Sequence, residues 1–390
     1  MRKRWLCAAA VLLAIACHQE KKADAPQRVA TVPSEAEAQK FAQSYIDALY
    51  KPNIARLSQL VDWEALLEHA TDVEEMRSKS WRKAVAAGAM NTQTRLAENL
   101  VKNIKDGGSV SALRVRTVKG ERRAIIRILL PDGSFNYFEM PLVRDATGFV
   151  RARDIYIYAS GEYFSDMLRR MFLVGADSDP SPFERLMGTK KKNVMVEAAP
   201  RVKDMTAKIR AGDGKGAVAI YRSLPEEMRR EKSIMLVYVM AASKVDDEAH
   251  GRALDELRAA FPNDRGIEMM FIDANLLRGR YDEAIRIVDK VEHSVGGDPY
   301  LDVIRANIRV KEGKLDAAEA FAVRATERDE DLEGAWWALV NINLAQRDHA
   351  ETARALAFLR DTLEVEIDDL SKYPDYAEFV KSKEYRQFME

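Results

Sequence analysis

Cysteine is almost absent from this chain of 390 residues: there are two, Cys7 and Cys17, both close to the start. The body of the chain therefore has no disulfide framework, no thiol nucleophile and no Cys-ligated metal site. Histidine is nearly as scarce. His18, His69, His250, His293 and His349 are scattered, with no pair at metal-ligand spacing, so neither a metal nor a cofactor is expected. A surplus of one charge is lacking as well: 61 Lys and Arg stand against 62 Asp and Glu, for a formal net charge of −1. That balance argues against a nucleic-acid partner, which calls for a concentrated basic surface. Catalytic signatures are missing too, with no HExxH, no nucleophile elbow and no dinucleotide fingerprint. The segment "GDGKG", Gly212 to Gly216, lacks phosphate-loop spacing and reads as a turn between helices.

What is present begins with an address. "MRKRWLCAAAVLLAIAC" has a basic start (Arg2, Lys3, Arg4), an apolar run from Leu6 to Ala16 and small residues before Cys17, the layout of a secretory signal. The apolar run is too short to cross a bilayer as a helix. "AIAC", Ala14 to Cys17, resembles the lipobox of bacterial lipoproteins, although that family prefers Leu where this chain has Ala14. The resemblance implies a signal peptide at 1–16, a lipidated Cys17, and attachment to the cell envelope. Because His18 and not Asp follows the Cys, it also implies the outer membrane. A plain secretory signal with an incidental Cys is the alternative. Loss of Arg2, Lys3 and Arg4 would take the net charge from −1 to −4. Residues 17–33 are polar, carry two Pro and show no period, which suits a flexible tether.

With 47% hydrophobic and 32% charged residues, the rest is sufficient for two or more domains. Residues 34–175 read as α+β. Ser34 and Glu37 form a capping box ahead of a helix whose Phe41, Tyr45, Ala48 and Leu49 share a face. Helical text runs to about Ile104. Then "VSALRVRTV", "RRAIIRILL", "FNYFEMPLVR" and "FVRARDIYIYA" follow with turn signals between them, which predicts helices on a curved antiparallel sheet. This order, closed by the amphipathic "GEYFSDMLRRMF", resembles the nuclear transport factor two-like cone fold, whose members range from isomerases to non-catalytic binding modules. Asp154, Tyr156 and Tyr158 alternate onto one strand face and could line such a cone; equally, the tyrosines could be ordinary sheet packing. Residues 176–197, with Lys190, Lys191 and Lys192, read as a linker bearing a solvated basic patch.

The last half repeats. "GRYDEAIRIVDKV" from Gly279 and "GKLDAAEAFAVRA" from Gly313 lie 34 residues apart and share Gly-x-(Tyr/Leu)-Asp-x-Ala, with Ala284 and Ala318 at the small packing position. Period and pattern resemble tetratricopeptide repeats, which implies a solenoid of stacked helix pairs over 198–366 and a capping segment at 367–390. On the first helices the spacing yields apolar ladders (Ile272, Ala306, Val340 among them) and one polar ladder, Asp273, Asn307 and Asn341. Those polar side chains either hold the register between stacked repeats or face a groove that grips an extended peptide. Tyr300, Trp336 and Trp337 belong to the same candidate groove, with one Trp packed between helices and the other exposed. First-helix positions lack the cations needed to clamp a carboxylate. The expected function is a non-catalytic envelope scaffold binding another protein or peptide, anchored to the membrane by lipid. The alternative is small-molecule binding, or hydrolase or isomerase chemistry, in the cone-like region.

Overall fold

A computed structural model describes residues 31–71, 94–131, 133–145, 147–175, 194–262 and 264–390. The signal, Cys17, most of the expected tether, Lys190 to Lys192 and most of the expected linker lie outside these residues. Helix α1 (Glu35–Tyr50) starts at the expected capping box: the Glu37 amide donates to Ser34 Oγ at 3.3 Å and the Ser34 amide to Glu37 Oε2 at 2.7 Å. Its buried stripe includes Phe41, Tyr45, Ala48 and Leu49. Short helices α2 (Ile54–Gln59) and α3 (Trp63–Ala70) and a helix α4 at 94–105 complete this layer.

Six antiparallel strands follow: β1 (Ser109–Val118), β2 (Glu121–Leu129), β3 (Phe135–Arg144), β4 (Val150–Ala152), β5 (Tyr156–Ile157) and β6 (Glu162–Tyr163). Their order is β1-β2-β3-β5-β6, with β4 also paired to β3. The β1–β2 hairpin turns on Lys119 and Gly120, both with positive φ (50° and 83°), as a two-residue turn matched to strand twist requires. The expected fourth strand is split. Residues 153–155 leave the ladder because the Asp154 carboxylate binds the amides of Ile155 (2.8 Å) and Ser165 (3.2 Å), turning the chain toward helix α5 (Phe164–Gly175).

The sheet is covered on both faces, and the period-2 alternation sorts its side chains. Ala124, Ile126 and Ile128 of β2 and Phe138, Met140 and Leu142 of β3 join the α1 core. Ile125 and Tyr137, from the intervening positions, join a core built from the C-terminal helices.

Those helices form five consecutive antiparallel pairs: α6 (Val194–Arg210) with α7 (Gly214–Ser223); α9 (Lys232–Ala242) with α10 (Asp247–Ala260); a 3₁₀ turn (Arg265–Met270) running into α11 (Phe271–Leu277) with α12 (Tyr281–Val295); α13 (Tyr300–Glu312) with α14 (Leu315–Arg328); and α15 (Glu333–Gln346) with α16 (His349–Asp361). A single turn, α8 (Glu226–Arg229), links the first two pairs. Helix α6 already begins inside the stretch expected as linker, and Leu370, Phe379 and Phe388 of the last residues are buried against the final pairs. The sheet and the helical region are not spaced apart. They touch backbone to backbone, since a Cβ on Gly266 would lie 2.0 Å from the Gly161 Cα.

The glycines that announce the repeat sit at helix ends in the left-handed region, Gly279 at φ +66° and Gly313 at φ +81°. Neither has a neighbour within 4 Å of an added Cβ, so the requirement is conformational and not steric crowding. The next position in that series is Arg347, exposed and also left-handed at φ 61°. A side chain there costs about 1 kcal/mol relative to Gly. Arg347→Gly is therefore expected to stabilise the last pair by about that amount in urea unfolding; an unchanged or lower midpoint would refute it.

Candidate functional site

On the first helix of each pair, burial identifies the packed face. Val239, Ile272, Ala306 and Val340 are buried at equivalent turns. The neighbouring positions Asp273, Asn307 and Asn341 are exposed, and their side chains form no hydrogen bond with other described residues. The reading in which this polar ladder is buried and holds the register is thus overturned. The buried amides are two residues further on, at Asn275, whose Nδ2 donates to the Phe271 carbonyl at 2.7 Å, and at Asn343. Counting by 34 missed a member of the exposed row. Helix α10 starts seven positions after Met240, whereas α12, α14 and α16 start eight positions after Asp273, Asn307 and Asn341, so the offset to the earlier pair is 33 and the position matching Asp273 is Met240, 57% exposed. Leu277, one turn beyond Asp273, is 56% exposed. The face therefore alternates apolar and amide or carboxylate groups, which suits the side chains and backbone of a bound segment.

Three aromatic candidates divide. Tyr300 is not on this face. It is buried against the sheet, with its hydroxyl donating to the Gly133 carbonyl at 2.9 Å and its ring edge-to-face with Phe135 at 5.7 Å. Position 300 opens α13, where the helix end meets the sheet, and this removes it from the groove. Trp336 stacks on Phe358 of α16, centroids 3.9 Å apart, and donates to the Glu330 carbonyl. Trp337 is also half-buried and packs against the same C-terminal core, so neither Trp is exposed, contrary to expectation; it donates to Glu333 on its own helix at 2.9 Å and lies one turn before Asn341.

Asp154, Tyr156 and Tyr158 are not brought together in one cavity. The break at 153–155 turns Asp154 into a buried cap for α5; Ser165 Oγ donates to it at 2.5 Å and His69 Nδ1 lies 3.4 Å away. Burial pushes the Asp154 carboxyl above its usual range, while the hydrogen bonds from Ser165 and Ile155 pull it back in part. Ser165 is fully buried, so its hydroxyl serves the same cap. Tyr156 and Tyr158 stack edge-to-face at 5.2 Å. Tyr158 packs toward the helical region and donates to Glu139 at 2.9 Å. Burial, then the nearby Asp264 carboxylate, pushes the Tyr156 phenol up to about 12. Between sheet and α1 the space is filled by Phe41, Tyr45, Phe138, Met140 and Phe164. A cavity of about 20 Å³ beside Tyr45, Trp63 and Ile155 has room for about one water.

Two buried ionic clusters escaped the sequence reading. Asp298, wholly buried, accepts from Arg127 Nη1 at 2.6 Å, from the Tyr137 hydroxyl at 2.7 Å and from the Tyr300 amide at 3.0 Å. It ties the sheet centre to the entry of α13. Asp302, also buried, receives Arg305 at 2.8 Å, Arg328 at 2.7 Å and Arg324, while Arg305 reaches Asp289 and Glu292 of α12 at 2.6 and 2.5 Å. A faint signal existed: Arg305 falls in a row whose other members are Tyr238, Phe271 and Leu339, and a charge among core positions requires partners.

No protein-family model and no curated protein sequence matches this chain. Among the described residues no cluster of three or more His, Cys, Asp or Glu could hold a metal, and no helix is long and apolar enough to cross a membrane.

Proposed function

We propose that the protein is a lipid-anchored scaffold of a bacterial cell envelope, probing and holding another protein or peptide along the first helices of a tetratricopeptide-like array. The observation that carries this reading is the exposed row Met240, Asp273, Asn307 and Asn341, whose polar side chains have no hydrogen-bond partner within the described chain. In a solenoid each repeat offers the same few positions, so a bound segment meets several equivalent groups at once. The amphipathic makeup of the row fits an extended or helical segment of mixed polarity, and the lipid at Cys17, suggested by the lipobox, would keep the array at the membrane. The chain then binds without transforming its partner, and no cofactor is involved.

Trp337 and Trp336 supply the test, because they are adjacent but do different work. Trp337→Ala removes an amphipathic ring beside Asn341 that is only partly packed on the core, and is expected to weaken partner capture by about 2 kcal/mol while lowering the melting temperature less than Trp336→Ala does. Trp336→Ala removes the stack on Phe358 and is expected to melt the last pairs, at a cost of about 3 kcal/mol. Capture from envelope extracts and thermal melts on both variants check this. If Trp337→Ala captures as well as the native chain, this face is not the site.

A further inference from the structure

The described chain begins at Thr31, whose amide and carbonyl pair with those of Arg144 at the end of β3 (3.1 and 2.9 Å), beside the N-terminus of α1. Any tether from Cys17 therefore joins the fold at this end, and an anchor at Cys17 would keep this end within about 3.5 Å per tether residue of the bilayer. A cleft of about 350 Å³ opens here between α1, α2 and the β3–β4 turn. Its apolar lining is Phe41, Leu60, Phe149 and Val150, its cations are Lys40 and Arg56, and its one carboxylate is Glu37.

The ion pairing at this end is uneven. Glu37 is paired with Arg144 at 3.2 Å, Glu35 with Arg122 at 3.7 Å and Asp145 with Arg151 at 3.5 Å. Lys40 and Arg56 have no carboxylate partner among the described residues; the Arg56 guanidinium lies over the Phe149 ring, 5.0 Å from its centroid. Two uncompensated cations at the rim of an apolar cleft match a ligand that is anionic at one end and apolar at the other.

We propose that this cleft seats the headgroup of an anionic phospholipid, so that this end of the sheet region lies against the bilayer and the helical pairs project away from it. The phosphate sits between the Lys40 ammonium and the Arg56 guanidinium, where each cation near an anionic surface gains from its negative potential, and the glycerol and first methylenes rest on Phe149 and Val150. The inference rests on the lipid-anchor reading only for the closeness of the membrane. Tethering raises the local lipid concentration and makes a weak headgroup site effective.

The test uses protein made from residue 17 onward with Cys17→Ser, so that no lipid is attached, floated with vesicles of phosphatidylcholine alone or mixed with phosphatidylglycerol. Binding is expected only to the mixed vesicles. Lys40→Glu with Arg56→Glu should lower the bound fraction at least about tenfold, and Lys40→Glu alone, at an exposed position that leaves the fold unaffected, about threefold. A thermal melt confirms that both variants are folded. Equal flotation with both vesicle types, no flotation, or flotation unchanged by Lys40→Glu would overturn the proposal. Displacement by inorganic phosphate beyond that by chloride of equal ionic strength would assign the cleft to free phosphate and overturn the bilayer assignment. The mass of the mature full chain reports separately whether Cys17 is acylated, so failure of the anchor and failure of the cleft are distinguishable.

Discussion

Asp298→Ala is expected to destabilise the protein by about 3–5 kcal/mol and to loosen the sheet from the helical region before either melts alone. Among the described residues the carboxylate is the only ion-pair partner of Arg127, whose side chain is 4% exposed, and it also accepts the buried Tyr137 hydroxyl. Removing it strands one charge and one hydroxyl where water cannot reach them, and an unpaired buried charge costs far more than a pair contributes. The loss should fall on non-local structure, because the Arg127–Asp298 bond joins residues 171 apart. Hydrogen exchange should therefore quicken in β2, β3 and the start of α13. Adding Arg127→Met to Asp298→Ala should recover much of the loss, since an apolar side chain of similar length leaves no charge to satisfy. If the single variant stays within about 1 kcal/mol of the native chain in urea, this bond does not anchor the sheet.

A loss of similar size, about 3–5 kcal/mol at neutral pH, is expected for Asp302→Ala, this time between neighbouring helices. The carboxylate faces Arg305 of α13 and Arg324 and Arg328 of α14, and Arg305 and Arg328 also bind Glu292 of α12. The pH dependence distinguishes this from a simple packing defect. Burial pushes the Asp302 carboxyl up, but hydrogen bonds from Arg324 and Arg328 and the charge of Arg305 outweigh it and hold the group below the usual carboxylate range. A depressed folded-state value means that the contribution is fully present above the unfolded-state value, about 4, and is lost as pH falls through the lower folded value. The difference between native and Asp302→Ala chains should thus be largest at neutral pH and shrink in acid. Urea midpoints measured from neutral pH down to about 3 would show it; a difference that grows in acid would contradict the assignment.

Much of this molecule was legible locally. The capping box at Ser34 and Glu37, the amphipathic stripe of α1, the β1–β2 hairpin and the helix pairs with Gly279 and Gly313 at their turns all depend on residues within a few positions of one another, so periodicity and turn chemistry sufficed. The row Asp273, Asn307 and Asn341 was legible as a row because the spacing repeats, yet its side of the helix was not: a rotation of one residue separates the buried ladder at Ile272 from the exposed one at Asp273. Met240 escaped because the connection to the second helix is one residue shorter in that pair, which breaks the count.

Sequence alone determined most of the helices and strands, the turns at Gly279 and Gly313 and which residues could share a face, since each follows from backbone geometry over one or two turns; the split of the fourth strand and the start of α6 inside the expected linker did not follow from it. Tertiary structure decided what those faces meet. The run "AIIRIL" carries apolar residues at both parities because α1 covers one side of β2 and the helical pairs cover the other, and the second cover comes from helices that begin only at Val194. For the same reason Tyr300 passed from a candidate ligand contact to an internal one, Asp154 from a pocket residue to a helix cap, and Arg127 and Asp298 became partners. Local pattern sets the period of a side chain, but burial and pairing depend on distant segments brought into contact, and no spacing along the chain encodes that contact.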